Sequence, residues 1–472
     1  MNNENSISTI ENLLKSKNKN FIENDLIPFL KIPSNTLNEV GINEAKKFLI
    51  SKISSFSEEI IEYSGEINPL ILSKVQGEIK ENLLVYMMYD TQPINNQNDW
   101  ISDPFGAEIR ILPPPLNNLG KCIVARGAYN SKTALLSFLN VVKLLKEKEV
   151  LPISLLLLFD GEEEKGSPTL LKLLESKNQK KIFANCIDAY YPSIKQDLSG
   201  KLVLKLGYKG ILSLTIKVSS QNKQTHSAFS GMIPNPSVDL ISLLNRIYSN
   251  NGFHIDSLKK SYELSEEEKS IMNDLTMNLD LNKIIKKAGI IQTVEKDPNL
   301  DFFNYLFNPT FNISTLKSGF LEKGIKNYVP NQAICNIDIR FAHNVSVDEI
   351  FKEIKEKVEI YAKKSKSKIE LTKNVGYEGS RINKNSNLVA SGIKSSKLLG
   401  VSTEIWPLSA AAAPLSQIKD SLDLNFISGG LGIGGFAHSP NEFIQLDSII
   451  NTQLFYYYFL KNYSELYKKK NF

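Results

Sequence analysis

The stretch that says most about the fold of this chain is ISLLLLFDGEEEKGS, residues Ile153 to Ser167. Its first part, Ile153 to Phe159, is apolar without alternation, which predicts a strand covered on both faces of a sheet. A buried strand that ends in several carboxylates is costly unless a cation neutralises them. The usual solutions are a divalent metal, a general base over a metal-bound water, or both. A solvated acidic turn is the alternative that this stretch alone leaves open.

The sequence before this stretch also alternates strands and helices. Leu83 to Met88 predicts an apolar strand, and Thr133 to Lys148 carries apolar residues at the spacing of a helix. The segment between them, Asp99 to Lys121, is rich in Pro and Gly and predicts a long surface loop. Strands that alternate with helices are typical of an α/β fold.

After Gly207 the pattern changes to amphipathic strands and charged helices. Strands are predicted at Ile211 to Val218 and Ala333 to Phe341, and helices at Asn235 to Tyr248 and Ser346 to Lys363. The α/β pattern returns near residue 387, and a chain of 472 residues is long enough for two domains. We therefore predict an α/β domain of residues 1–207 and 376–472, interrupted by a smaller α+β domain of residues 208–375.

Composition excludes several classes of partner. The net charge of +5 is small for 472 residues, and the basic residues are scattered, which gives no basis for nucleic-acid binding. Three widely spaced cysteines argue against a disulfide framework and favour a reducing compartment. The first 19 residues are polar, without the apolar core of a signal peptide, and no apolar run is long enough to span a membrane. We expect a cytoplasmic protein.

Four further segments carry polar residues next to predicted elements. They are YMMYDTQP (Tyr86 to Pro93), RGAYNSK (Arg126 to Lys132), THS (Thr225 to Ser227) and FAHSPNE (Phe436 to Glu442). In order and spacing, these segments and the acidic cluster resemble the carnosinase/carboxypeptidase-G/aminoacylase family of two-zinc peptidases and deacylases.

The resemblance covers nearly the whole chain. WISDPF (Trp100 to Phe105) is similar to the family's WxSDPF, and LSEEE (Leu264 to Glu268) is similar to the dipeptidase branch. The resemblance implies a zinc-peptidase-like α/β catalytic domain interrupted by a lid that also dimerises. It agrees with the two domains predicted above.

The resemblance also implies a role for each matching residue. In the first domain, Glu163 would be the general base, and Glu164 and His438 would be metal ligands. Asp90 would orient a ligand. In the lid, His226 would contact a substrate across a dimer, and Arg340 and Asn327 would bind the substrate.

Three ligand positions depart from the family. Met88 stands where the family has a zinc-binding histidine, and Asn130 stands where it has the aspartate that bridges both metals. Ile194 falls where the second metal's carboxylate is expected, with Asp188 and Asp197 the nearest acids. A thioether is a neutral, soft ligand that competes poorly for zinc, and an amide has only one neutral oxygen to offer. The second metal site is therefore expected to be lost.

The first site keeps Glu164 and His438, with Asn130 as a weak third ligand, so we expect at most one zinc per chain, or none. The leading hypothesis is a catalytically silent or impaired homologue, which acts as a homodimer or as the partner of an active relative. The alternative is an active single-metal peptidase or N-acyl amino acid deacylase that uses Glu163 as base on a small peptide or acyl amino acid. The family's small polar stretch in the substrate pocket is replaced by AAAAP, Ala410 to Pro414.

If the metals are gone, Arg126 or Lys132 is expected to neutralise the acidic cluster. The run GLGIGG, Gly430 to Gly435, fits a dinucleotide-binding pattern, but no helix follows it directly, and no strand ending in an acid follows on schedule.

Overall fold

The computed structural model describes residues 2–177, 179–282, 285, 290–413 and 416–471. The chain packs into two compact units. The first comprises Met1–Leu206, Ile382–Trp406 and Gln417–Phe472, and the second comprises Gly207–Arg381 and Pro407–Ser416. The short segment Pro407–Ser416 thus groups with the second unit, although it lies within the residues 376–472 that we assigned to the first domain.

The first unit is built on a six-stranded sheet. In spatial order its strands are Glu59–Tyr63, Leu70–Val75, Ile153–Asp160, Ile79–Met88, Cys186–Pro192 and Phe426–Gly429. The last four run parallel, and the first two pair antiparallel at one side. All eight residues of Ile153–Asp160 are buried, as its unbroken apolar sequence predicted. Met88 and Asp160 are register partners at the ends of their strands, so the segments that follow leave the sheet at one edge.

Helices cover this sheet. They are Asn2–Phe21, Ile27–Lys31, Glu39–Ile53, Lys132–Glu147, Pro168–Glu175, Asn387–Leu398 and Ile449–Asn471. The helix Ser416–Leu422 and a parallel strand pair, Leu202–Lys205 with Thr403–Trp406, precede the last sheet strand in sequence. The N-terminal helix was not predicted, because its polar composition gives no clear apolar stripe. Within the described residues, no helix combines the length and apolar character needed to cross a membrane.

A second, antiparallel sheet of the first unit holds the loops of the site. Its strands are Gly434–Gly435, Phe443–Gln445, Lys121–Val124 and Glu108–Ile111. The last of these lies inside the segment that we predicted to be a surface loop, so that prediction is wrong for residues 108–111. The hairpin forms because Trp100, Val124 and Phe443 bury a small apolar cluster beneath it.

The second unit is an antiparallel sheet with helices. Its strands, in spatial order, are Thr310–Ser318, Gln332–Phe341, Gly210–Ser219 and Lys368–Tyr377. Its helices are Pro236–Ile247, Asp256–Lys259, Glu266–Asn278, Pro298–Leu306 and Val347–Ala362. Alternate residues of the two central strands pack with Pro236–Ile247 and Val347–Ala362 in one core. The predicted α/β class is confirmed.

Candidate functional site

The acidic cluster follows the strand Ile153–Asp160, and its first glutamate has a structural role. Glu162 is fully buried, and its carboxylate accepts hydrogen bonds from the backbone N–H of Ile67, Asn68 and Thr169. These bonds hold the turn that carries Glu163 and Glu164, and sequence analysis assigned no role to Glu162.

Asp90 holds the same turn from the neighbouring strand. Its Oδ1 accepts the backbone N–H of Glu163 at 3.2 Å, and its Oδ2 accepts the N–H of Glu164 at 3.1 Å and the hydroxyl of Thr36 at 3.0 Å. Burial, together with the charges of Asp160, Glu163 and Glu164, raises the pKa of Asp90 well above its usual value. The structure thus brings Asp90 together with Glu163 and Glu164.

Glu163 lies in a strongly acidic environment. Burial and then the charge of Glu164 raise the pKa of Glu163 to about 8. Neither of the cations we expected compensates for this charge. Arg126 pairs with Glu442, and the Lys132 ammonium donates to the backbone oxygens of two residues near position 30.

Two cations lower the pKa of Glu163, namely His438 and, with a smaller effect, Lys195. Burial and then the charge of Lys205 lower the pKa of Lys195 to about 8, while Glu163 opposes that shift. Lys195 directly follows Ile194 in sequence, and sequence analysis did not identify it. Its sequence context gave no signal, because Lys195 lies in the mixed segment PSIKQD, Pro192 to Asp197.

Glu164 is bonded on both oxygens. Gln92 Nε2 donates to Oε2 at 2.7 Å, and Asn130 Nδ2 donates to Oε1 at 3.3 Å. His438 Nε2 lies 3.2 Å from the same Oε1 and 3.0 Å from Asn130 Nδ2. The hydrogen bond to Glu164 raises the pKa of His438. The three residues expected to hold the first metal therefore bond to one another.

The other half of the site is apolar. Met88 and Ile194 are 1% and 2% exposed. The nearby acids are bonded elsewhere: Asp188 accepts from Tyr463 Oη at 2.6 Å and Asn425 Nδ2 at 3.0 Å. Asp197 accepts the backbone N–H groups that follow it in its own turn.

These donors do not fit the two metals that the resemblance implies. The Asn130 amide presents its NH₂ group, not an anionic oxygen, to Glu164 and His438. In the part of the chain that the structure describes, no three His, Cys, Asp or Glu side chains are grouped to hold a metal ion. A zinc at this position would first have to displace the Asn130 amide.

The second unit brings together two of its three expected residues. The short strands Thr225–His226 and Tyr328–Val329 pair antiparallel, and Ser227 N donates to Asn327 O at 3.3 Å. His226 and Asn327 therefore lie next to each other, and both are exposed.

Arg340 is on a different strand, in register with Thr310 and Ile211. Burial and then the charge of Arg381 lower the pKa of Lys209 to about 7, and the charge of Arg340 adds to this shift. The backbone N–H of Lys209 bonds to Ser409 O at 3.1 Å and Ala411 O at 3.2 Å in the alanine-rich segment. Pro414, which closes that segment in the sequence, lies outside the described residues.

A mostly parallel sheet with acids at its carboxyl edge, in a chain that also carries a separate sheet-and-helix unit, is the arrangement that the resemblance to the two-zinc peptidases and deacylases implies. Residues 84–462 match Peptidase family M20/M25/M40, and the chain belongs to this family. The resemblance found in the sequence, including its dipeptidase-like branch, is confirmed.

Relatives and solved structures agree with this assignment. The chain is 26% identical over 321 residues to the Cys-Gly metallodipeptidase dug1 of Schizosaccharomyces pombe, covering 66% of this chain and 64% of that protein. It is 25% identical over 312 residues to the Beta-Ala-His dipeptidase of Homo sapiens, covering 64% of this chain and 58% of that protein. The chain thus spans about three fifths of the length of these relatives.

Among solved structures, the M20 family metallo-carboxypeptidase Sso-CP2 from Sulfolobus solfataricus has a TM-score of 0.82 and 26% identity, with 93% of this chain and 98% of that chain covered. The chain is therefore a homologue of metal-dependent dipeptidases and carboxypeptidases.

Proposed function

We propose that this chain is a degenerate M20 dipeptidase, catalytically silent or strongly impaired, which serves as a structural or regulatory subunit. One observation carries the proposal: the Asn130 amide nitrogen lies 3.3 Å from Glu164 Oε1 and 3.0 Å from His438 Nε2. Bridging two dications requires two anionic oxygens, and an amide nitrogen supplies none. The buried thioether of Met88 does not replace the lost imidazole for zinc.

Metal content and hydrolysis test this proposal together. Protein purified without chelators is expected to hold less than one zinc per chain and to hydrolyse dipeptides such as Cys-Gly far more slowly than an active relative. Glu163→Gln is the matched control, because it removes the only expected general base and changes one atom of the side chain. Activity that is equal in both proteins comes from a contaminant. Two tightly bound metals per chain would overturn the proposal.

The alternative is a single-metal peptidase or N-acyl amino acid deacylase. It is favoured by the convergence of Glu164, Asn130 and His438 within 3.0 to 3.3 Å of one another. It is also favoured by the pKa of Glu163, raised to about 8, because a general base works best with a pKa near the working pH. Arg340 and Asn327 would bind the carboxylate of a small peptide or acyl amino acid. This alternative requires turnover that Glu163→Gln and His438→Ala both abolish.

We also propose that the second unit binds another copy of the chain, or an active relative, through the strand Thr310–Ser318. In the described part of the sheet this strand has a neighbour on one side only, so its outer backbone groups are available for pairing. Its Ile313 and Leu316 side chains are 43% and 57% exposed.

The helix Pro236–Ile247 extends this surface. Ser237 Oγ and Ser318 Oγ are 2.7 Å apart, so the helix begins beside the end of the edge strand. Val238 and Ile241, one turn apart on the helix, are exposed. An edge strand flanked by an apolar helix face suits antiparallel pairing across a two-fold axis.

Light scattering tests this surface. The wild type is expected to be a dimer at micromolar concentration, and Leu316→Glu is expected to be a monomer because it buries a charge in the interface. Leu398→Glu, an equally exposed leucine of the first unit, is the control and should remain dimeric. A monomeric wild type would contradict the proposal.

We further propose a cytoplasmic location, supported by three buried cysteines that are free thiols. Cell fractionation that recovers the protein with secreted or membrane fractions would contradict it.

A further inference from the structure

The loop that carries Asn130 closes around a carboxylate from a distant part of the chain. Glu442 is fully buried, and its Oε1 accepts the backbone N–H of Tyr129 at 3.0 Å and of Asn130 at 2.7 Å. Burial raises the pKa of Glu442, and the backbone N–H groups of Asn130 and Gly127 oppose that shift. Gly127 has a φ of 87°, and a Cβ there would lie 3.1 Å from Lys132 Cδ, so the loop requires glycine at this position. Glu442 therefore fixes the backbone at Asn130.

Arg126 joins the same carboxylate to the segment that carries His438. Its Nη1 donates to Glu442 Oε2 at 2.7 Å and to Ser439 O at 3.3 Å. The guanidinium lies 5.1 Å from the Trp100 ring, and the side chains of Arg126 and Glu442 are only 4% and 1% exposed. Because the pair is shielded from water, its electrostatic attraction is much stronger than that of a surface ion pair.

The His438 segment needs such support because its backbone is strained. Phe436, His438 and Asn441 have φ values of 61°, 62° and 62°, in the left-handed region that residues other than glycine rarely adopt. Such conformations persist only where the surrounding structure enforces them. Here Ile101 N donates to Asn441 Oδ1 at 2.7 Å, and Arg126 holds the Ser439 carbonyl.

We infer that Arg126 and Glu442 form a positioning clamp that holds Asn130 and His438 against each other without any metal. The clamp links the loop of residues 126–130 to the segment of residues 436–442 through two polar groups that touch neither Glu163 nor Glu164 in the bonds described above. The clamp acts on the geometry of the site and would form whether or not the chain hydrolyses peptides, so the metal and activity measurements do not decide whether it exists.

Chemical modification of histidine tests the clamp in the full-length protein. The His438 side chain is 52% exposed, but in the clamped site its Nε2 faces Asn130 Nδ2 at 3.0 Å and Glu164 Oε1 at 3.2 Å, which slows the reaction of this nitrogen with diethyl pyrocarbonate. Glu442→Gln keeps the shape of the side chain but loses its charge. We expect it to raise the modification rate of His438 about fivefold, as for the loss of one ordinary hydrogen bond. His226 and His254, both exposed in the second unit, serve as internal references and should not change.

Asp188→Asn is the matched control, because it neutralises another buried carboxylate of the first unit that bonds to Tyr463 and Asn425. It should leave the His438 rate at the wild-type value. The clamp is disproved if Glu442→Gln leaves His438 protected, or if the rate at His438 rises only in step with His226 and His254. If Glu442→Gln does not fold, the same measurement is made on Arg126→Lys. A lysine cannot hold both Glu442 and the Ser439 carbonyl in the arginine geometry. A protected His438 in that variant would equally disprove the clamp.

Discussion

In one half of the candidate site Glu164, Asn130 and His438 remain polar and bond to one another, whereas in the other half Met88 and Ile194 are 1% and 2% exposed and apolar. Under the proposed function, in which the second metal is lost, the difference illustrates two ways in which a protein accommodates the loss of a cation. Ligand residues that are retained require hydrogen-bond partners, because a buried carboxylate without a partner is costly. Ligands that are replaced by apolar side chains become part of the core and need no partner.

Restoring both kinds of position should have the largest effect. Met88→His with Asn130→Asp returns an imidazole and an anionic bridge. We expect zinc to bind about 100-fold more tightly than to the wild type, because good zinc ligands replace a thioether and an amide. Either change alone should do little, because a bridging carboxylate without its second metal is an unpaired buried anion. Isothermal titration with zinc measures both effects.

Met87→His with Asn130→Asp is the control for this repair. Met87 is fully buried on the same strand, but successive side chains point to opposite faces, so its imidazole would miss the site. Hydrolysis is expected to remain poor in the repaired protein, because Ile194 still offers no carboxylate. Rapid turnover by the wild type and slower turnover by the repaired protein would establish the single-metal alternative.

Changing the apolar half alone should destabilise the fold. Ile194→Asp places a carboxylate in a position that is 2% exposed, and we expect the free energy of unfolding to fall by about 3 kcal/mol without metal. Urea denaturation measures this loss. Leu198→Asp, four residues further on and 43% exposed, is the control and should change stability by less than about 0.5 kcal/mol. Unchanged stability in Ile194→Asp would mean that this half of the site is still open to water.

The polar half should show a smaller effect that depends on pH. The pKa of Glu163 rises from its ordinary 4.5 to about 8 on folding, mainly through burial, so the folded state keeps a proton that the unfolded state releases. The stability of the wild type should therefore fall as the pH rises between these two values. Glu163→Gln has no such proton, so its stability relative to the wild type should increase as the pH rises from about 5 to about 8. Thermal unfolding at about pH 5 and about pH 8 tests the sign.

An exposed glutamate supplies the control for that experiment. Glu322→Gln should unfold at the same temperature as the wild type at both pH values. A stability gain in Glu163→Gln that is equal at both pH values would contradict the role of its titration.

Much of the scaffold of the site follows from local sequence. The apolar run before Asp160 and the strand that ends at Met88 predict two buried strands, and parallel neighbours bring their carboxyl ends to one edge. The expected neighbourhood of Asp90, Glu163 and Glu164 follows from this geometry alone. The roles assigned to these residues stay predictions, because they come from resemblance.

The partners of the polar groups could not be predicted. Gln92 and Glu164 are 72 residues apart in the chain, and Glu442 lies 312 residues from Asn130. No local pattern indicates which amide or ammonium compensates a given carboxylate, because the choice depends on the packing of several loops. We expected Arg126 or Lys132 to neutralise the acids. Instead, Lys195 is the lysine whose charge lowers the pKa of Glu163.

The burial of Met88 has a consequence for the history of the chain. Met88 stands where the family that this sequence resembles has a zinc-binding histidine, and it is 1% exposed. Under the proposed function it is therefore a packing position that selection for stability keeps apolar. Reversion to histidine on its own would lose packing and gain no catalyst. Such a site can lose its ligands one substitution at a time, whereas its recovery requires several substitutions at once. Loss of the site is therefore difficult to reverse. If the proposed function holds, descendants of this sequence should diversify as binding or assembly proteins and should not return to hydrolysis.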